Sequence, residues 1–258
     1  MLLAVGALEL ACWDLVGQQA NAPVWALFGE AKRESIPTYA TCFGFEGEEA
    51  STTSVAEAVS EFWTIQKWRP SRDPKAISTL ASAAGGDYRL ALDFGGKWLA
   101  QEVQKLCVAI DQKLAWLEEP YAPYDLHQAC PGDFPAPHAA GEHIYNLSET
   151  AILMAAGVDI WQPDALFCGG FSNLCDIAKK ASHVNARCLP HGGGFLPAVH
   201  AAIAGIPMEY IEYHLLLEPK RQAHLELGVF PTKDIAIEKP LRPGWAGRLH
   251  PELEKQFL

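Results

Sequence analysis

Short apolar segments alternate with longer amphipathic segments over most of the chain. The short segments are rich in β-branched and aromatic residues, which is typical of buried strands. They recur at intervals of roughly 22–28 residues, enough for one strand, one helix and two short loops. The eight predicted strands are residues 37–42, 64–69, 89–94, 114–119, 137–142, 159–164, 187–191 and 210–214. The predicted helices between them include residues 54–63, 74–84, 100–110, 148–157 and 173–182.

This alternation predicts a parallel sheet, and eight units in one domain predict a closed (β/α)8 or (β/α)7β barrel of the TIM type. An open doubly wound sheet is the alternative. It is disfavoured because no glycine-rich phosphate motif follows an early strand. We therefore predict a helical lead-in segment over residues 1–36, the barrel over 37–222 and a closing segment over 223–258.

The lead-in segment is expected to contain two helices. The spacing of Leu8, Ala11, Trp13 and Leu15 predicts one apolar side on a first helix that ends near Gly17. A short helix is predicted over residues 23–29, begun by proline and ended by glycine.

Composition narrows the class of protein. The chain has 258 residues, 49% of them hydrophobic, and a formal net charge of −11. These values are typical of a globular domain, and they exclude disordered, collagen-like and coiled-coil proteins. The acidic balance argues against nucleic acid or an anionic membrane as partner, and it suits carboxylates placed around a cation. Glu9 and Asp14 interrupt the apolar start of the chain, which argues against a signal peptide or a membrane span.

The cysteines indicate a reducing compartment. They are odd in number, scattered, and form no CxxC pair, so neither a zinc ribbon nor a disulfide framework is expected. We predict that they are reduced and mostly buried in a cytoplasmic protein. The cysteines are Cys12, Cys42, Cys107, Cys130, Cys168, Cys175 and Cys188.

Seven of the eight predicted strands end in charged or ionisable residues. In a parallel barrel, the carboxyl ends of all strands open onto one face, and that face carries the active site. Residues that are far apart in sequence are therefore expected to converge there. The residues in question are Arg69, Asp93, Glu118, Glu119, Glu142, Asp164, His191, Glu212 and His214.

Asp93, Glu118 and Glu142 end three successive strands. Three carboxylates so close together would raise each other's pKa unless a cation held them ionised. A set of oxygen ligands favours Mg²⁺, ahead of Mn²⁺ or Ca²⁺. The alternative is that these carboxylates cap helix N-termini. Glu119 is expected to point the other way and to support the site.

Asp164 and His191 end adjacent strands. A carboxylate that binds one ring nitrogen fixes the tautomer of a histidine and makes the other nitrogen more basic, so this pair predicts a general base. The three glycines that follow His191 are expected to let the backbone approach a ligand. Glu212 could share a proton with, or bind, a developing enolate oxygen, and Glu209 is the alternative acid.

Several motifs together resemble a known family. The segments ALDFGG, WLEEP, AAGEHIY, DIWQPDALFCGG, CLPHGGG and YIEYH have the order and spacing of the enolase superfamily, most closely of its mandelate racemase-like acid-sugar dehydratases. LELACWDLVGQQANAPVWALFGE resembles the helical segment that leads into the family's barrel, and PLRPGWAGRLHPEL resembles its closing segment. The resemblance thus covers nearly the whole chain.

The resemblance implies a site and a reaction. Asp93, Glu118 and Glu142 would hold Mg²⁺. The dyad of Asp164 and His191 would remove the proton α to a carboxylate, the metal would stabilise the enediolate, and Glu212 would be the acid of the eighth strand. The substrate would be an aldonate or aldarate of the rhamnonate, galactonate or gluconate class. Loss of its β-hydroxyl would give a 2-keto-3-deoxy acid.

His143 is a further candidate. It follows Glu142 in the segment GEHIY, which resembles the sugar-acid dehydratases of the rhamnonate and galactonate kind. It could protonate the leaving hydroxide, or it could be a buried histidine that supports the metal ligand.

The second and third strands depart from the family pattern. The second strand usually ends in Lys-x-Lys, whereas here Arg69 takes the place of the second lysine, and arginine cannot accept a proton at neutral pH. This argues against a two-base racemase and favours a one-base dehydratase or a carboxylate-binding Arg69. Lys67 is expected to lie one step off the site face, as support. The third strand usually reads Asp-x-Asn, and Gly95 removes that substrate hydrogen bond.

The family also carries an N-terminal α+β capping domain, for which the sequence in hand has no room before the predicted barrel. We therefore expect an open barrel mouth and exposed apolar surface, including the first helix, covered by another chain or within a homo-oligomer. A catalytically silent or truncated barrel and a racemase or epimerase of the same superfamily are the alternatives to a dehydratase.

Overall fold

All eight predicted strands are present. The structure is a computed structural model that describes residues 2–42, 49–129, 132, 134–245 and 248–257. A ninth, short strand follows the predicted eight. The strands are β1 Ser35–Thr41, β2 Gln66–Trp68, β3 Leu90–Asp93, β4 Trp116–Glu118, β5 His138–Ala140, β6 Ile160–Trp161, β7 Arg187–Cys188, β8 Ile211–His214 and β9 Ala236–Glu238.

The strands form one curled parallel sheet in the order β7-β6-β5-β4-β3-β2-β1-β8. β8 pairs with the other side of β1, so the sheet returns upon itself. The Glu209 N–H donates to the Cys188 carbonyl at 3.0 Å and links the start of β8 to β7. Strand β9 pairs antiparallel with the first residues of β1. The predicted TIM-type α/β architecture is confirmed.

Helices cover the outside of this sheet. The α-helices are α1 Leu2–Gln19, α2 Glu49–Ser60, α3 Pro74–Ala83, α4 Ala100–Val108, α5 Thr150–Ala155, α6 Phe171–His183, α7 Phe195–Ile203, α8 Glu218–Gln222 and α9 Pro251–Phe257. Short 3₁₀ helices span Val24–Phe28, Pro123–Gln128, Leu147–Glu149 and Gly192–Gly194. The connection between β4 and β5 therefore contains a 3₁₀ helix among its described residues, where the other units carry α-helices.

Helix α3 shows how local sequence sets these elements. Asp73 accepts a hydrogen bond from the Lys75 N–H at 3.0 Å and so caps the helix. Pro74 is the first helical residue, and its ring fixes φ at a helical value. Ala76, Ile77, Leu80 and Ala81 are buried, which is the spacing of one helical face against a sheet.

The predicted apolar side of α1 is wrong. Leu8 and Leu15 are 68% and 57% exposed, and only Trp13 of the predicted set packs inward, against Phe28 and Phe171. The buried face instead contains Gly6 and Gly17. A Cβ on Gly6 would lie 2.2 Å from the Leu166 carbonyl oxygen, so α1 packs through backbone contact that an apolar side chain would prevent. The helix also continues beyond Gly17 to Gln19.

The described cysteines fit the expectation of buried thiols, with one exception. Cys12 is exposed, whereas Cys42, Cys107, Cys168, Cys175 and Cys188 are buried, and all six are free thiols. Cys130 lies outside the described residues, as do residues 246 and 247 of the closing segment. None of the described helices is both long enough and apolar enough to cross a bilayer.

The barrel interior is built in layers. Strand alternation places Tyr39, Ala91, Trp116, Ile160 and Leu189 in one apolar cluster inside the sheet. Polar and charged side chains occupy the next layer towards the carboxyl ends. The apolar layer thus forms the floor beneath the polar site.

A buried histidine joins the closing segment to the barrel. His200 of α7 is fully buried, accepts a hydrogen bond from the Trp25 N–H at 3.1 Å and donates to the Trp245 carbonyl. Burial lowers the pKa of His200 from 6.5 to about 4, although the contact with the Trp245 carbonyl opposes the shift.

We expect this histidine to make folding pH-sensitive. The unfolded chain binds a proton near pH 6.5 and the folded chain does not, so the contribution of His200 is present above pH 6.5 and is lost as pH falls towards 4. The free energy of unfolding should drop by about 2 kcal/mol between pH 7 and pH 5 because of this group. Urea titrations of the wild type and His200→Gln at both pH values would measure the drop. Equal drops in the two proteins would contradict the assignment.

Candidate active site

The polar layer of the barrel is centred on Lys67. Its side chain is only 2% exposed, and its ammonium group contacts a carboxylate oxygen of Glu118 and, at 2.8 Å, Glu212 Oε1. Asp93 Oδ2 lies 4.0 Å away. Burial lowers the pKa of Lys67, but the Glu118 and Glu212 carboxylates outweigh it and raise the pKa well above its usual value. Lys67 is therefore a fixed positive charge.

This placement corrects the expectation that Lys67 lies off the site face. The outward-facing residues of β2 are Gln66, which donates to the Ala56 carbonyl of α2, and Trp68. Side chains two residues apart on a strand share a face, so Lys67 faces inward as Arg69 does. Lys67 lies one layer deeper, inside the barrel.

Glu118 is held from both sides. One oxygen meets Lys67, and the other accepts hydrogen bonds from Gln162 Nε2 at 2.7 Å and from the Trp116 indole at 3.2 Å. The carboxylate is fully buried. Its orientation is therefore set by three donors on three elements.

Glu212 is an ionised acceptor. The Thr41 hydroxyl donates to it at 2.5 Å, the Gly192 N–H at 2.7 Å, and Lys67 forms an ion pair with it. Burial alone would raise the pKa of Glu212, but Lys67 and His191 hold it well below the usual range. The role of Glu212 towards an enolate oxygen, whether as a proton donor or as a hydrogen-bond partner, stays a prediction.

The alternative acid, Glu209, lies at the other end of the barrel. It precedes β8, is partly exposed and pairs with Arg187 at 2.8 Å. Of the two candidates, only Glu212 lies in the polar layer.

The predicted dyad is present. His191 Nδ1 lies 2.7 Å from Asp164 Oδ2, and the other Asp164 oxygen accepts the Leu166 N–H at 2.8 Å. His191 Nε2 lies 3.0 Å from Glu142 Oε2. Burial lowers the pKa of His191, but Asp164, Glu212 and Glu142 outweigh this effect and raise it to about 9.

The glycines after His191 lie close to other protein groups, and Gly192 and Gly193 also line the cavity described below, so their approach to a ligand stays a prediction. A Cβ on Gly193 would lie 1.9 Å from Asp164 Oδ2, and one on Gly194 would lie 2.5 Å from the Ala165 Cβ. Gly192 lies against Glu212. These glycines therefore allow the backbone after β7 to pack directly on the dyad and on Glu212.

Asp93 ends β3 and meets Arg69. Its Oδ1 accepts hydrogen bonds from Arg69 Nη1 at 2.7 Å and from the Gly95 N–H at 2.9 Å. Burial raises the pKa of Asp93 to about 7; Glu118 adds to this effect, and Lys67 and Arg69 only partly offset it. Asp93 is thus a buried carboxylate that lies between two cations, Arg69 and Lys67.

Glu142 lies two residues beyond β5, next to His143. His143 Nδ1 is 3.5 Å from Glu142 Oε1, and the ring of Phe167 lies between the two imidazoles of His143 and His191, 6.4 Å from each. Glu119 accepts the Gly141 N–H at 3.1 Å and so fixes the turn that leads to Glu142. Burial raises the pKa of Glu119 to about 8, and the hydrogen bond from Gly141 opposes the shift.

A cavity of about 270 Å³ opens above the polar layer. Lys67, Arg69, Asp93, His191 and Glu212 all line it. Glu142, His143 and Asp164 lie outside its lining, behind the imidazole of His191 or beside it.

The cavity is also lined by Thr41 and Arg221, which the sequence analysis did not single out, and by His214, which it expected at this face. Thr41 ends β1 and could have been found by the rule of polar strand ends. Arg221 comes from α8 and donates to the Gly192 carbonyl at 2.8 Å, a contact that no sequence pattern indicates.

The acidic side chains suit a divalent cation by chemistry and charge. Asp93, Glu118 and Glu142 offer oxygen ligands of the kind that Mg²⁺ prefers. Each of the three nevertheless faces a cation of the chain: Arg69, Lys67 and His191 respectively. Among the described side chains, no three potential ligands surround a common point at metal-ligand spacing.

Comparisons with known proteins agree with this fold. A family model described as enolase C-terminal domain-like matches residues 50–253. A racemase from Streptomyces coelicolor A3(2), solved with bound magnesium, is 26% identical with a TM-score of 0.83, and the match covers 98% of this chain and 71% of the racemase. The 3,6-anhydro-D-galactonate cycloisomerase from Zobellia galactanivorans is 25% identical with a TM-score of 0.84, over 100% of this chain and 76% of the cycloisomerase.

A provisionally assigned dehydratase from Mesorhizobium loti has a TM-score of 0.86 at 22% identity, over 99% of this chain and 75% of the dehydratase. At this identity the likeness shows the fold alone. The similar structures thus differ in reaction while sharing one barrel.

Removing the charge of Asp164 should make His191 less basic. Asp164→Asn keeps an oxygen for the backbone N–H groups but removes the anion that stabilises the imidazolium, so the pKa of His191 should fall by about 1–2 units. NMR titration of the His191 ring, in protein freed of divalent cations, would measure the change. Asp176→Asn removes an exposed carboxylate beside Lys179 and should have no effect. A His191 pKa that is the same with Asp or Asn at position 164 would contradict the dyad.

Proposed function

We propose that this chain, which belongs to the enolase C-terminal domain-like family, is a dehydratase of a sugar acid. It removes the proton α to the carboxylate and releases the β-hydroxyl as water. The observation that carries the proposal is the pairing of Asp164 with His191 at 2.7 Å, with the imidazole lining a cavity whose opposite wall carries Lys67, Arg69 and Asp93.

His191 acts as the base. Asp164 binds Nδ1, so Nε2 is the ring nitrogen available for the α-proton, and the Asp164 carboxylate stabilises the imidazolium that results. In the described orientation Nε2 contacts Glu142 Oε2. His191 can accept the α-proton only when Nε2 is unprotonated and free of Glu142. Binding of Glu142 to a metal would release Nε2 and remove one of the carboxylates that raise the pKa of His191.

Asp93, Glu118 and Glu142 are the residues that would hold Mg²⁺, or Mn²⁺ in its place. When bound, the metal would supply Lewis-acid stabilisation to the substrate carboxylate as negative charge develops on it. The oxygen donors of these three side chains, which are the kind that Mg²⁺ prefers, support this assignment.

The remaining cations receive the substrate carboxylate. The Arg69 side chain is half exposed and carries guanidinium donors that suit a carboxylate. Lys67 supports the same end of the substrate with its buried positive charge. Neither side chain can serve as a second base, because Arg69 stays protonated and the carboxylates raise the pKa of Lys67.

A single base favours elimination over racemisation. After proton abstraction, the electron pair left at the α-carbon forms a carbon–carbon double bond as the β-carbon–oxygen bond breaks. The departing hydroxide takes a proton from the imidazolium of His191, or from His143 as the alternative donor, and leaves as water. The enol product then tautomerises to a 2-keto-3-deoxy acid.

A catalytically silent barrel is the second candidate. The observation that favours it is that each proposed metal ligand faces a cation of the chain and that the described residues do not enclose a metal position. In that case the barrel would keep its charged interior for stability alone.

Two measurements on aldonic and aldaric acids would test the proposal. Deuterium incorporation at C2 in heavy water reports proton abstraction, and a 2-keto acid assay reports loss of water, each with Mg²⁺ or with a chelator. The wild type should form keto acid only with Mg²⁺, and His191→Asn should lose both signals while it still binds Mg²⁺. His183→Asn, at the exposed end of α6, should retain both.

The outcomes separate the candidates. Exchange at C2 without keto acid would favour an epimerase, and the absence of both signals over the whole panel would favour the silent barrel. Keto acid formation by His191→Asn would place the base elsewhere.

Glu118→Gln should weaken Mg²⁺ binding at least about tenfold, because it removes one charge from the ligand set. Calorimetric titration with Mg²⁺ would measure the affinity, and circular dichroism would check the fold. Glu209→Gln is the matched control, since Glu209 lies at the opposite end of the barrel beside Arg187. Unchanged affinity in Glu118→Gln would remove Glu118 from the proposed ligands.

A further inference from the structure

Gly95 and Arg69 touch each other beside Asp93. Arg69 Nη1 donates to Asp93 Oδ1 at 2.7 Å and lies 3.4 Å from the Asp93 carbonyl oxygen. A Cβ on Gly95 would lie 2.3 Å from this same nitrogen and 3.2 Å from the guanidinium carbon. No side chain other than hydrogen at position 95 is compatible with this position of Arg69.

The backbone at Gly95 does not by itself require glycine. Its φ of +56° lies in the left-handed region, which asparagine enters more readily than most residues. The restriction therefore arises from the space that the guanidinium occupies. Arg69 can occupy this position only because residue 95 has no side chain, and we call the two residues the Gly95–Arg69 unit.

We propose that the Gly95–Arg69 unit supplies Asp93 with a built-in counter-ion that competes with the divalent cation and so sets the metal affinity of the site. The inference rests on the proposed function, in which Asp93 is a metal ligand. The competition is direct, because the Asp93 oxygen that binds Arg69 and the Gly95 N–H is one of only two oxygens that this carboxylate can offer.

Arg69 is suited to reversible release. Its side chain is half exposed, whereas Lys67 is buried between Glu118 and Glu212 and cannot leave without stranding two carboxylates. The guanidinium can move into solvent when a metal ion takes its place, and the buried Asp93 carboxylate then still has a cation beside it. Arg69 is thus a positioning residue that acts on the metal through Asp93.

The test is a double-mutant cycle that uses Mg²⁺ alone as the ligand. Gly95→Asn should expel the guanidinium, and Arg69→Met should remove it. Each should strengthen Mg²⁺ binding about fivefold in calorimetric titrations of chelator-treated protein. Because both changes act on one contact, the double variant should bind no more tightly than either single variant. Gly86→Asn is the matched control, since Gly86 also has a positive φ but has open space around it.

An NMR measurement checks the contact itself. The Arg69 guanidinium signals should show restricted rotation in the metal-free wild type and in Gly86→Asn, and free rotation in Gly95→Asn. Restricted rotation retained in Gly95→Asn would overturn the steric part of the inference.

The failures are distinguishable. If the wild type binds Mg²⁺ and the affinity is unchanged or lower in Gly95→Asn and Arg69→Met, or if their effects add, the competition is refuted and the proposed function stands. If no variant binds Mg²⁺ or Mn²⁺, the inference falls together with the metal site of the proposed function.

Discussion

One buried ammonium group holds the polar layer of this barrel together. Lys67 lies between Glu118 of β4 and Glu212 of β8, and both carboxylates are almost completely buried. A buried carboxylate without a positive partner costs several kcal/mol, so the two acids depend on this single cation. Glu118 also accepts hydrogen bonds from Gln162 and the Trp116 indole. Glu212 accepts them from the Thr41 hydroxyl and the Gly192 N–H. The orientation of nearly every residue in the layer follows from these contacts.

The arrangement divides the site into a fixed part and an adjustable part. Around Lys67, each carboxylate has several buried donors and little freedom to move. Towards the rim, Asp93 meets the half-exposed Arg69, and Glu142 meets the partly exposed imidazole of His191. Ligand binding can rearrange the rim at low cost, whereas the layer below it keeps the strand ends in place.

Sequence reasoning predicted the fold well because the barrel is encoded by a repeated local pattern. Each strand has its own apolar run, each helix its own period, and parallel strand ends must converge wherever the runs repeat. For that reason the register that places Asp93 opposite Glu118, and the contact between Asp164 and His191, could both be anticipated. The metal ligands and the substrate class stay predictions.

Contacts between distant segments were harder to anticipate. Strand alternation can show that Lys67 faces inward, but the sequence does not show how far below the rim of the barrel it lies. The buried face of α1 is formed by glycines against backbone, which carries no hydrophobic signal. Likewise, the sequence does not show that Gly193 and Gly194 pack against Asp164 and Ala165. Arg221 lines the cavity from α8, and the position of α8 is set by the packing of the whole barrel, which the sequence does not show.

The pairing of β1 with β8 has a consequence for how the chain is made. Thr41 and Glu212 are 171 positions apart, so β1 leaves the ribosome long before the strand with which it pairs. Until β8 arrives, β1 presents an open parallel edge, and Lys67 lacks Glu212, one of its two nearest carboxylates. Barrel closure and charge neutralisation are thus one late, cooperative event. A nascent chain that stalls before β8 is an open sheet exposed to aggregation and to chaperones, not a smaller barrel.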